Sequence, residues 1–97
     1  MPAVKPLTKI EKRTRREEIF RKAASGELGF PHAVRDLRQS LGMTQAVFAE
    51  RFGLTRVQVI ALEGGKANPT LETLEKIGRP FGFRVGFVPI QSSNLSE

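Results

Sequence analysis

Residues Thr44–Asn68 read TQAVFAERFGLTRVQVIALEGGKAN, two short amphipathic segments joined by a three-residue break that contains Gly53. Phe48, Ala49 and Phe52 form the apolar face of the first segment. Val59 and Leu62 lie at helical spacing in the second. Ala49 sits four residues before Gly53, where two helices so joined approach most closely and need a small side chain. Gly53 takes the left-handed conformation that ends the first helix without steric cost. Thr44 and Thr55 each precede a helix, and each hydroxyl can accept a free amide hydrogen as an N-cap. Helices joined by so short a turn cross steeply, with the second on the outside.

Working outward, His32–Leu41 predicts a helix with Val34, Leu37 and Leu41 inward and Gly42 as its stop. Thr8–Ser25 predicts another, capped by Thr8 and stopped at Gly26. Its apolar positions are Leu7, Ile10, Ile19, Phe20, Ala23 and Ala24, and Glu11–Glu18 between them has none. Met1–Pro6 carries two prolines and is expected to be extended or disordered. Downstream, Thr70 caps a helix whose face is Leu71, Leu74 and Ile77, ended by Pro80 and Gly82. Phe83–Val88 then alternates, with Phe83, Val85 and Phe87 on one side, which is a strand pattern. No second strand is available in the chain. Either the same strand of a second copy pairs with it, or the segment packs across its own core. Ile90–Glu97 reads as a mobile polar tail.

The chain has 97 residues, 39% of them hydrophobic, enough for one small domain with an extension. So small a core often gains stability by oligomerising. It has no cysteine and one histidine, so neither a disulfide framework nor a zinc site is expected. No apolar run reaches membrane-spanning length and the start lacks a signal-peptide core, so a cytoplasmic protein with no membrane contact is expected. Net charge is +6, which suits a polyanion. Residues 1–27 hold eight basic and four acidic groups, a net of +4. The other seventy residues carry only +2.

The Thr-Gln-Ala start, Ala49, Gly53, Leu54, Val59, Leu62 and the Glu63-Gly64-Gly65-Lys66 end resemble the phage-repressor helix-turn-helix family (the lambda and Cro repressor-like, or Xre, class) over Val34–Gly82. The resemblance implies an all-α fold. It would be a five-helix repressor-like domain at 31–82, with an extra helix in a basic N-terminal extension at 1–30. A short C-terminal strand at 83–90 would pair across a dimer through Phe83, Val85 and Phe87, followed by a tail at 91–97.

By register, the resemblance places Thr55, Arg56, Val57, Gln58 and Ala61 at base edges. Arg56 suits guanine O6 and N7, Gln58 suits adenine or a phosphate, and Val57 suits a thymine methyl. Thr44, Gln45, Arg56 and Lys66 are expected at phosphates. Lys9, Lys12, Arg13, Arg15 and Arg16 either add to them, meet a partner or are simply solvated. Arg38 and Glu63 fall at positions that form a structural ion pair in the family. His32 reads as a cap or surface residue.

The reading helix departs from the family's polar pattern, since Val57, Ile60 and Ala61 are apolar and left outward or marginal. The surface then reads DNA through few hydrogen bonds and through DNA shape, or part of it meets protein. No catalytic constellation is present: the carboxylates are scattered, the one histidine adjoins a proline, and no phosphate loop follows a strand. No cofactor and no metal are expected.

The implied function is a sequence-specific transcriptional repressor, a homodimer on double-stranded operator DNA with an inverted repeat. The helical core and single strand also resemble the HipB type of antitoxin. That likeness implies a protein toxin partner, such as a HipA-like kinase, and autoregulation of a shared operon. The alternatives are a free-standing regulator without a toxin and a protein-interaction module that has lost DNA binding.

Overall fold

The structure is a computed structural model that describes residues 6–90. Of the start expected to be extended or disordered at Met1–Pro6, residues 1–5 lie outside the described residues, as does the tail expected at 91–97. Five α-helices follow one another: α1 (Lys9–Ala24), α2 (His32–Ser40), α3 (Gln45–Arg51), α4 (Arg56–Glu63) and α5 (Leu71–Gly78), with a 3-10 turn at Arg79–Phe81. Local chemistry sets their bounds. Thr8, Thr44, Thr55 and Thr70 each cap a helix, their hydroxyls accepting from the amides of Glu11, Val47, Gln58 and Thr73. At the α3–α4 turn Gly53 has φ of +70°, and the Leu54 amide donates to the Ala49 carbonyl at 2.8 Å. That closure leaves the second helix free to turn away from the first.

The core joins Ile19 of α1, Val34 and Leu37 of α2, Phe48 and Ala49 of α3, Val59 and Leu62 of α4, and Ile77 of α5, with Phe52 beside them. Phe48 is fully buried, its ring stacked on Phe52 with centroids 4.1 Å apart. A line of rings continues from there. Phe52 meets Phe81 at 6.0 Å, Phe81 meets Phe83 at 5.9 Å, and Phe83 meets Phe20 edge-on at 5.2 Å. This row ties α1 and the C-terminal segment to the motif helices.

Three sequence expectations change. First, the described residues hold five α-helices in all, α1 included, rather than five plus one. Pro80 and the left-handed Gly82 (φ +81°) allow only a 3-10 turn after α5. Second, Phe83–Val88 forms no strand among the described residues. No other described segment forms a ladder with it, and Phe83 folds back onto Phe81 and Phe20 instead. Val85 and Phe87 stay outside, Phe87 fully exposed. Third, Leu41 and Leu71 lie at the surface. Leu41 falls past the end of α2 and Leu71 in the first turn of α5, where the inward stripe has not yet met the core.

Candidate nucleic-acid interface

Helix α4 is apolar nearly all round, yet only one stripe of it is covered. Val59, Leu62 and Glu63 are buried against α2 and α3, whereas Val57 is 74% and Ile60 45% exposed, and Arg56 lies open beside them. The N-terminal half of α4 therefore projects from the body. Its first turn is fixed by a capping box: Thr55 Oγ1 accepts from the Gln58 amide at 3.0 Å, and Gln58 Oε1 accepts from the Thr55 amide at 2.8 Å. The Thr55-x-x-Gln58 spacing signals this box in the sequence. Gln58 thus spends its carbonyl on the cap and keeps only its Nε2 hydrogens for a ligand.

The base of α4 is held by a buried charge network. The Arg38 guanidinium grips Glu63 with two bonds, Nε to Oε2 at 2.6 Å and Nη2 to Oε1 at 3.1 Å. Arg38 also donates to the Met43 carbonyl at 2.9 Å, in the loop that leads into α3. Gln45 completes the set, its Nε2 donating to Glu63 Oε1 at 3.2 Å. One carboxylate thereby ties α2, the start of α3 and the end of α4 into one unit. Gln45, expected at a phosphate, has its amide nitrogen engaged inside the protein, and this contact was not read from the sequence.

Burial pushes the Glu63 carboxyl upward, since its side chain is only 6% exposed. Hydrogen bonds from Arg38 and Gln45 and the charges of Arg38 and Arg35 outweigh that, and the net shift is below its ordinary 4.5. A depressed carboxyl gives stability that is complete above its unfolded value and is lost as pH falls through the folded one. The Tm is therefore expected to fall as pH drops below 4.5. Glu63→Gln should flatten that fall in an acid series of thermal melts. Glu18 and Glu27, lowered first by hydrogen bonds from Arg21, have the same sign but are solvent-screened and contribute little.

The remaining expected residues sit as follows. Thr44 and Thr55 are exposed caps, and Ala61 is half-buried on the margin of α4. Lys66 is exposed just past α4, where Gly65 has φ of +72° and the Lys66 amide donates to the Ala61 carbonyl at 3.0 Å. His32 is exposed at the start of α2. On the C-terminal segment Phe83 packs against the core, and Val85 and Phe87 are exposed.

A helix-turn-helix family model matches residues 34–87, more than half of the chain. An uncharacterized HTH-type transcriptional regulator of Methanothermobacter thermautotrophicus is 45% identical over 49 residues, which is 50% of this chain and 71% of that relative. One from Archaeoglobus fulgidus is 40% identical over 52 residues, 54% of this chain and 74% of the relative. One from Haemophilus influenzae is 35% identical over 57 residues, 59% of this chain and 58% of the relative. No solved structure matches significantly. The family match spans both motif helices, the Gly53 turn and the Arg38–Glu63 pair, and on that ground the chain belongs to the helix-turn-helix family.

Proposed function

We propose that the protein is a DNA-binding transcriptional regulator that inserts the N-terminal half of α4 into a major groove. The observation that carries this reading is the exposed, capped first turn of α4 on a base braced by Arg38, Glu63 and Gln45. Arg56 reads a base, Val57 packs against thymine methyls, and the Nε2 of Gln58 donates to a base acceptor or phosphate. Thr44, the free amides of the first turns and Lys66 hold phosphates. Because Val57 and Ile60 add no hydrogen bonds, DNA shape carries part of the specificity.

The finer reading is a repressor that binds an inverted repeat as a dimer. The exposed Val85, Phe87, Val88 and Ile90 support it, since a second copy would cover them. An antitoxin role, with a toxin partner and autoregulation, draws on the HipB likeness of the sequence. Co-expression with products of adjoining genes, followed by purification through this chain, tests it.

The same exposed Val57 and Ile60 favour a second reading, a protein-interaction module. A mobility-shift titration on the protein's own upstream DNA at rising salt separates the two. DNA binding must weaken steeply with salt. Arg56→Ala is expected to reduce affinity for the preferred sequence about 5- to 150-fold, the range of about 1–3 kcal/mol for a bidentate base contact. Salt-insensitive binding, or a mutant equal to wild type, contradicts the DNA reading.

A further inference from the structure

Helix α1 is polarised in charge. Its first eight residues, Lys9–Arg16, hold Lys9, Lys12, Arg13, Arg15 and Arg16 against Glu11 alone. Its last eight, Glu17–Ala24, balance Arg21 and Lys22 against Glu17 and Glu18. The cations of the second half are neutralised within the protein: Arg21 by Glu18 and Glu27, Lys22 by Asp36. Those of the first half are not. Glu11 is occupied in the Thr8 capping box, and Arg15 donates to the Gln39 carbonyl at 2.6 Å. Among the described residues Lys9, Lys12, Arg13 and Arg16 form no ion pair.

Such an arrangement opposes the stability of the helix. Cations near a helix N-terminus face the positive end of its dipole. Lys9 and Arg13, and Lys12 and Arg16, are like charges one turn apart and repel. Glu11 at the cap offsets part of the dipole cost, but among the described residues no ion pair neutralises these four cations, and an external polyanion would. Position says which one. Leu7, just before the Thr8 cap, packs on Gly42, where an added Cβ would lie 3.1 Å from it. Gly42 is two residues from Thr44, the cap of α3. Lys12 and Arg16 border a cleft shared with Ser40, Leu41 and Met43. The cationic end of α1 is thus continuous with the α3 end of the proposed interface. Eight helical residues span about 12 Å, about the axial rise of three or four phosphates of one strand.

We infer that the first two turns of α1 form an accessory DNA clamp, in which Lys9, Lys12, Arg13 and Arg16 bind the phosphate backbone flanking the site read by α4. The inference rests on the DNA-binding reading above and adds a surface that lies outside the family match. The clamp is blind to sequence, so it raises affinity and site length without altering base preference.

The test is fluorescence anisotropy of the full chain at a series of salt concentrations. The duplexes are its own upstream DNA, that duplex extended at both ends, and a scrambled one. Wild type, Arg56→Ala and a triple variant, Lys9→Gln with Lys12→Gln and Arg13→Gln, are compared. The triple variant should lower the slope of log affinity against log salt by about 2–3, at about 0.9 per phosphate contact. It should weaken binding equally on upstream and scrambled DNA and lose any gain from the extended ends. Its thermal melt at low salt should be no lower than that of wild type, because repulsion has been removed. An unchanged slope in the triple variant, with wild type binding in a salt-sensitive way and Arg56→Ala impaired, overturns the clamp alone. Absence of DNA binding by wild type overturns the clamp and the parent reading together.

Discussion

Arg38→Ala should lower the unfolding free energy by about 3–5 kcal/mol, the cost of stripping one partner from a buried ion pair. The substitution leaves Glu63 as an uncompensated carboxylate in a site almost closed to water, with only Gln45 still donating to it. It also strands the Met43 carbonyl that Arg38 caps. Small domains have only about 5–15 kcal/mol in total, so the variant should melt far below wild type in a urea or thermal titration. Replacing both partners, Arg38→Met with Glu63→Leu, should recover much of the loss, since apolar residues of similar volume often serve a buried pair's site as well. Recovery in the double variant separates a stranded charge from a packing defect. An Arg38→Ala variant that melts with wild type would show that the pair does not brace α4.

Phe48→Ala should cost a similar amount, about 3–5 kcal/mol, for a different reason. Phe48 is fully buried in the core and stacks on Phe52, the first ring of the row that runs through Phe81 and Phe83 to Phe20. Truncation removes the transfer free energy of the ring and leaves a cavity that two rigid helices cannot close. Denaturant melts should show a lowered midpoint with little change in slope. DNA affinity measured well below the melting temperature should change less than stability, because the exposed residues of α4 are untouched.

The motif was legible because its constraints are local. Gly53, the Thr44 and Thr55 caps and the Phe48–Ala49–Phe52 face act within a few residues, and their spacing admits one geometry. The α1 helix was legible for the same reason, through Thr8 and Gly26. What α1 touches was not. Only Ile19 of α1 is buried in the core, and Phe20 gains its meaning from Phe83, 63 residues further along the chain. The alternation of Phe83, Val85 and Phe87 reads as a strand, but period two carries no information about a partner, and the described residues form no strand there. Phe83 is drawn to Phe81 and Phe20, and no ladder forms among the described residues. Leu41 and Leu71 show a similar limit: helical spacing places them on the inward face, yet the face runs past the edge of what it packs against. At the candidate interface, Arg56 and Val57 were legible as outward by register. The engagement of Gln45 with Glu63 was not, because it depends on how α2 and α4 close around one carboxylate.

The most direct test of the account is an amide NMR titration of the full chain with its own upstream duplex, repeated at high salt. DNA entry by α4 predicts shifts concentrated on Thr55–Ala61, the first turn of α3 and Lys66, all reversed by salt. Shifts confined to the Phe83–Ile90 segment, or none at low salt, would contradict the claim that α4 enters DNA.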